Sequence, residues 1–349
     1  MPVRAFNNLA SYERVWRKRH LFLGLLFVVI ICLLATDILV GPANIRLDAL
    51  WHTLLAGNAG DPTLGAIVWQ IRLPQALMAV VIGASLGLAG AEMQTVLNNP
   101  LASPFTLGIS SAAALGAALT IVLNLSLPFV PEQYILAVNA FIFALLCAWL
   151  LDLVARKARI GTSGIVLFGI ALVFTFNAVL SLVQFTASAT ALQDLVFWMM
   201  GSLARTDWPR LAIMTAALMA VIPFSLNSAW QLTALRFGEE RATSFGVNTQ
   251  RVRRAALLRI SVLAALAVAM VGVIGFIGLI APHIARRLWG EDHRWYLPAS
   301  ALIGGAILIA ASITSKLLTS NAVVPVGIVT TLVGIPFFLI AVLRRRVLQ

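Results

Sequence analysis

Between Leu21 and Leu343 the chain is a succession of apolar runs, most of them close to twenty residues long, separated by short polar breaks. A helix of about 20 apolar residues crosses a bilayer core, where every backbone N–H and C=O must be satisfied within the protein. Ten segments follow this pattern: Leu21–Val40, Ile67–Leu97, Thr106–Leu123, Tyr134–Ala155, Gly164–Thr186, Trp208–Leu226, Ala255–Phe276, Leu279–Trp289, Leu297–Leu318 and Gly327–Leu343. The eighth is too short to cross alone and is expected to lie half-buried against protein. The expected fold class is all-α, a polytopic membrane protein of about ten transmembrane helices. Residues 1–20 read as a cytoplasmic N-terminal segment and residues 21–349 as a single transmembrane domain.

Composition excludes the alternatives. Of 349 residues, 60% are hydrophobic and only 11% charged, with a mean hydropathy of +0.95. A soluble domain carries about 25% charged residues, so this chain could not wet its surface. A soluble enzyme, a disordered chain and a disulfide scaffold are all ruled out. Cys32 and Cys147 sit inside apolar runs and read as two buried thiols. The first apolar run exceeds the roughly 7–15 residues of a signal-peptide core and is expected to stay as an anchor.

The net charge of +12 is a topology signal. With the N-terminus in the cytoplasm, 20 of the 25 Lys and Arg residues fall inside: five from Arg4 to Arg19, then Arg156, Lys157 and Arg159, six from Arg236 to Arg259, then Arg286, Arg287 and Arg294, and Arg344 to Arg346. Only Arg46, Arg72, Arg205, Arg210 and Lys316 fall outside. The positive-inside rule predicts that asymmetry. Both termini are then cytoplasmic, and cations spread over separate segments give no nucleic-acid site.

A faint internal echo points to transport. Gly83, Gly87 and Gly90 in the second span precede Asn99-Pro100-Leu101-Ala102, and Gly272, Gly275 and Gly278 around the seventh precede Ala281-Pro282-His283. The units start five spans apart, so they cross in opposite directions, a weak inverted repeat of the kind transporters use. Glycines at this spacing also serve plain helix packing.

The longest cytoplasmic loop, about residues 230–254, reads as structured. Glu239 and Glu240 suit a first helical turn, Ala242 and Phe245 give an apolar side, Gly246 suits the position just past a helix end, and Asn248 or Thr249 can cap the next helix. Such a short helix suits docking into a partner's groove or packing on its own bundle. Nothing supplies catalysis: no glycine-rich loop ends in Gly-Lys-Ser or Gly-Lys-Thr, and His20, His52, His283 and His293 lack metal-ligand spacing. Among acidic residues in the spans, Asp152 reads as paired at the interface beside Arg156, and Asp37 and Asp194 as peripheral. Only Glu92 is a candidate for proton transfer, unless it reaches the interface or Gln94.

Several pieces, in order, complete the reading: Arg72-Leu73-Pro74; Asn99-Pro100-Leu101-Ala102-Ser103-Pro104; Gly161-Thr162-Ser163; Trp198-Met199-Met200-Gly201; Gly238-Glu239-Glu240-Arg241-Ala242 running to Gly246-Val247-Asn248; Gly275-Phe276-Ile277-Gly278-Leu279 to Pro282-His283; and Pro325-Val326-Gly327. Over about nine-tenths of its length the chain resembles the FecCD-type permease subunits of bacterial ABC importers for ferric siderophores, haem and cobalamin. The resemblance implies a multi-pass inner-membrane protein with no catalytic activity and no cofactor of its own. It implies a second permease subunit in a homo- or heterodimer, two ATPase subunits that hold ATP and magnesium, and a periplasmic binding protein. A ferric siderophore is the cargo it favours.

Site residues carry over by motif. Gly238, Glu239, Glu240, Arg241, Phe245 and Gly246 match the ATPase-docking loop. Thr162 and Ser163, with Asn99 and Leu101 as a second layer, match the cytoplasmic gate. A pore lined mainly by the fifth and tenth spans would use Asn177, Ser181 and Gln184. Arg72 and Lys316 match periplasmic residues that pair with the binding protein. Two residues depart from the pattern: Gln75 stands where the cobalamin-type sequences have a second arginine, and Glu92 where the family has an apolar residue. The alternatives are a proton-coupled secondary transporter using Glu92 and a non-transporting scaffold.

Overall fold

The computed structural model of the protein describes residues 3–42, 45–56, 62–157, 161–319 and 322–346. Arg159, counted above among the cytoplasmic cations, lies outside them, as do residues 1–2 and 347–349. The described residues contain helices and turns and no strand. In chain order the helices are α1 (Val3–Leu39), α2 (Leu47–Ala56), α3 (Pro62–Ala66), α4 (Leu73–Val96), α5 (Ile109–Leu123), α6 (Glu132–Lys157), α7 (Thr162–Phe185) and α8 (Ala189–Met199). They continue with α9 (Trp208–Asn227), α10 (Ala229–Leu235), α11 (Glu239–Ser244), α12 (Thr249–Val271), α13 (Ile277–Trp289), α14 (His293–Leu317) and α15 (Val326–Arg346).

All ten predicted spans coincide with helices. Seven are long and apolar enough to cross a membrane, while Ile109–Leu123 and Val326–Ile340 are shorter apolar stretches. The eighth is α13, whose 13 residues bury one side against α4 and α14. The seventh span was placed too late: α12 begins at Thr249 and stops at Val271, because Asn248 caps its start and Gly272, at φ +78°, ends it. Its first turns are basic, which disguised them as loop. The short helices α2, α3, α8 and α10 had no signal in the apolar runs.

Side-chain caps set several starts. Asp207 Oδ1 accepts from the Arg210 N–H at 2.8 Å, and Ser188 Oγ from the Ala191 N–H at 3.2 Å. Each satisfies an amide that the first helical turn leaves unpaired.

The helix pairings repeat with a five-span offset. α5 packs on α6 and α7 as α13 packs on α14 and α15; α4 packs on α14 as α12 packs on α6. The two short members also begin alike. Gly108 before α5 and Phe276 before α13 both hold positive φ, at +90° and +66°. The inverted repeat suggested by the glycines is present in these contacts.

α4 lies at the centre, buried along almost its whole length. In lipid, helices associate through close van der Waals contact rather than through escape from water, and α4 achieves this with glycine. A Cβ on Gly83 would meet the Gly304 carbonyl oxygen at 2.3 Å, one on Gly87 the Ser300 oxygen at 2.2 Å, and one on Gly90 the Gly278 oxygen at 2.0 Å. These are backbone atoms and cannot swing away. Gly90→Ala is therefore expected to part α4 from α13 and lower stability by about 1–3 kcal/mol, the usual range for overpacking. Gly24→Ala, with nothing within 4 Å, is expected to be neutral. Thermal unfolding in detergent checks both.

Candidate functional site

The loop between α9 and α12 folds into two short helices on the face that carries most of the basic residues. Gly238, at φ +99°, turns the chain into α11. The Gly246 N–H donates to Thr243 O at 2.9 Å and the Val247 N–H to Ala242 O at 3.0 Å. That pair of bonds is a Schellman closure, with Gly246 in the left-handed position at φ +80°. Asn248 Oδ1 then accepts from the Arg251 N–H at 3.0 Å and starts α12. Asn248, not Thr249, is the cap. The turn is thus rigid with only six helical residues.

The two apolar residues expected on one side of α11 part company. Ala242 and Val247 are buried, whereas Phe245 is exposed along with Phe237 and Trp230. Glu240 and Arg241 are exposed as well. Glu239 pairs with Arg253 of α12. It therefore braces the loop from within rather than standing free.

The inner end of α4 is gripped from four other helices. From α12, Arg259 Nε donates to both Glu92 carboxylate oxygens at 3.1 Å. Its Nη2 lies 2.9 Å from Oε2, out of line for a hydrogen bond. Arg253 Nε reaches Val96 O at 3.4 Å. From α13, Arg286 Nη2 donates to Gln94 Oε1 at 3.2 Å and to the Tyr296 hydroxyl at 3.1 Å. From α14, His293 Nε2 sits 2.7 Å from Thr95 Oγ1. The Thr95 hydroxyl donates to Ala91 O, and the Thr233 hydroxyl of α10, 3.1 Å from His293 Nδ1, donates to Ala229 O. Beyond the helix end, Arg236 bonds Asn98 Oδ1 at 3.4 Å and pairs with Glu291. Burial raises the Glu291 carboxyl, but Arg236 and Arg286 outweigh it and hold it below the ordinary range.

Glu92 is therefore fully engaged in an ion pair, neither at an interface nor on Gln94. This geometry gives the proton-relay alternative no support. Asp152, expected to be paired, lies 4.0 Å from Arg254 of α12. His293, Arg253 and Arg286 escaped the sequence reading because no motif marks a contact between residues so far apart in the chain.

The opposite face holds a second network. Lys316 Nζ donates to Asp37 Oδ2 at 2.7 Å and to Asp37 O at 2.8 Å, with both side chains buried. Arg72 Nη1 donates to Ile38 O at 2.6 Å and Leu39 O at 2.9 Å, closing the last turn of α1. Asp37 is thus a core residue, not a peripheral one. Arg72 and Lys316, expected as free rim charges, are committed inside the chain. They border a cleft of about 260 Å³ that Gln75, Ser312 and Ser315 also line.

The gate and pore candidates share one stripe of α7. Ser163, Leu167, Ile170, Phe174, Asn177 and Ser181 follow at three- and four-residue steps, and all are exposed. Gln184 continues the stripe half-buried, and Thr162 stands half-buried at its start. Leu101 and Asn99 lie in the turn after α4, where Asn99 Oδ1 accepts from the Leu101 N–H at 3.0 Å. Leu101 is exposed and Asn99 half-buried.

A polytopic bundle with internal two-fold pairing, a rigid external turn and one exposed helix face of mixed polar and apolar residues describes a subunit of a membrane transporter. The FecCD transport family profile matches residues 25–344, and the chain belongs to that family. It is 36% identical to the hemin transport system permease protein HmuU of Yersinia pestis, covering 94% of this chain and 96% of that protein. It is 34% identical to the vitamin B12 import system permease protein BtuC of Vibrio cholerae (97% and 98% covered) and 37% identical to the Fe(3+)-citrate import system permease protein YfmE of Bacillus subtilis (93% and 95% covered). A solved structure described as an inward-facing conformation of a metal-chelate type ABC transporter superposes with a TM-score of 0.82 at 28% identity, covering 93% of this chain and 99% of that one.

The outer network makes a measurable claim. Lys316→Met leaves Asp37 charged and buried, a loss of about 3–5 kcal/mol. Asp37→Leu combined with Lys316→Met removes both charges and is expected to recover most of it. A double-mutant cycle on thermal unfolding in detergent reads the difference.

Proposed function

We propose that the chain is the pore-forming subunit of an ATP-driven importer that carries a metal chelate into the cytoplasm by alternating access, with a ferric siderophore the favoured cargo. The observation that carries this reading is the match to FecCD permeases along nearly the whole chain, with relatives that handle hemin, vitamin B12 and ferric citrate. The chain would sit in the bacterial inner membrane with both termini cytoplasmic, a reading the 20-to-5 cation split supports.

Each exposed surface then has an occupant. A second permease subunit faces the α7 and α15 side, and Asn177, Ser181 and Gln184 line the path between the two. Those side chains are neutral and weakly polar, suited to a chelate that must leave as readily as it enters. Thr162 and Ser163, with Asn99 and Leu101, close the cytoplasmic end. Two ATPase subunits, holding ATP and magnesium, dock at α11, where Glu240 and Arg241 offer charge and Phe245 an apolar knob. A periplasmic binding protein delivers cargo at the cleft bordered by Arg72 and Lys316. Because both cations are already bonded internally, contacts to that partner would come from neighbouring exposed groups.

The docking assignment is tested in proteoliposomes holding the chain with its ATPase and binding protein. Phe245→Ala with Arg241→Ala is expected to lower cargo-stimulated ATP hydrolysis about tenfold, as loss of an anchor costs about 1–2 kcal/mol, while the permease stays folded. Unchanged hydrolysis would count against α11 as the docking element. For the gate, Thr162→Trp is expected to stop uptake of ferric citrate, haem or cobalamin while leaving ATPase binding intact, because bulk at the head of the exposed α7 stripe blocks the path.

A further inference from the structure

We propose that the buried Glu92–Arg259 ion pair is a coupling pin. It obliges α4 and α12 to move as one body, so that a displacement of α11 is delivered to the centre of the bundle. This rests on the reading that a separate ATPase drives the chain through α11.

The pair stands where such a pin is needed. Arg259 lies eleven residues into α12 from the Asn248 cap, and α12 starts directly from the docking turn. Glu92 lies near the inner end of α4, 1% exposed, and Arg259 is 8% exposed. Arg253, one and a half turns earlier on α12, grips α4 again at Val96 O and holds Glu239 of α11. A rigid chain of contacts thus runs from α11 to α12 to α4. At the other end of α4, twenty residues or about 30 Å away, Arg72 holds the last turn of α1.

An ion pair is an unusual way to join these helices. Removing two charges from water is costly, and apolar residues of similar size often do as well for stability alone. The helices could have met on Ala264, Ala267 and Leu263, which are buried in α12. A smooth apolar seam, however, lets one helix slide or turn against the other. A carboxylate that takes the single Arg259 Nε–H between both of its oxygens, each at 3.1 Å, with Nη2 2.9 Å from Oε2, ties α4 to α12 at one depth, which an apolar seam does not. Intramembrane charges are rare and mark working parts of a transporter. Since the carboxylate is held by Arg259 Nε through both oxygens, the work assigned here is mechanical rather than proton transfer.

The test separates coupling from folding. Parent, Glu92→Gln, the double variant Glu92→Leu with Arg259→Met, and the swap Glu92→Arg with Arg259→Glu are each assembled with the ATPase and binding protein in proteoliposomes. ATP hydrolysis and uptake of ferric citrate, haem and cobalamin are measured in parallel, with thermal unfolding of each variant. The double variant is expected to unfold within a few degrees of the parent and to hydrolyse ATP at a similar rate. Its uptake per ATP is expected to fall about tenfold, the scale of a typical coupling energy. The swap is expected to regain part of that ratio, which no purely structural role requires. Parental uptake per ATP in the double variant would overturn the pin and leave the transport function standing. Parental uptake that needs no ATPase would overturn both.

Discussion

The contact on which the rest of the molecule depends is the backbone approach of α4 to α13 and α14. In a bilayer, lipid tails are as apolar as leucine, so burying apolar surface does little to draw helices together. What remains is contact close enough to sum many small dispersion terms. Gly83, Gly87 and Gly90 let α4 lie against Gly304, Ser300 and Gly278 with backbone touching backbone. That approach brings Glu92, Gln94, Thr95 and Asn98 within reach of α10, α12, α13 and α14. The polar grip on α4 is a consequence of the glycine seam.

The polar groups divide by face and by task. On the basic face they knit α10, α12, α13, α14 and the α11 turn to one helix end, with His293 set between two threonines. On the other face Asp37, Lys316 and Arg72 fasten α1, which is otherwise sparsely buried along its apolar stretch. A subunit of this design is tightly packed around α4 and widely exposed along α7.

Much of this was legible in the sequence because it depends on local chemistry. Apolar run length gave the helices, Gly246 and Asn248 gave the turn, and the two glycine groups gave the repeat. Tertiary partners were not legible. Glu92 stood out as an acid in an apolar run, but its answer, Arg259, lies 167 residues away and was counted among the cytoplasmic cations although it falls inside the predicted seventh span. Asp37 and Lys316 failed the same way: each looked peripheral at the end of its own span, and only folding the ends of α1 and α14 together buries them. Phe245 was expected on one apolar side with Ala242, yet six residues of helix are too few for the two to share a face.

The stretch Ile67–Arg72, just before α4, is a π-helical turn, which accommodates one extra residue in an otherwise continuous helix. Each residue added to or removed from a helix rotates everything beyond it by about 100°. Natural variants that shorten this turn by one would leave α4 seated on its glycines yet swing α3 around to a different side of the bundle. Length in this stretch is therefore a rudder for α3, free to set where that helix sits around the bundle without disturbing the helix that carries the load.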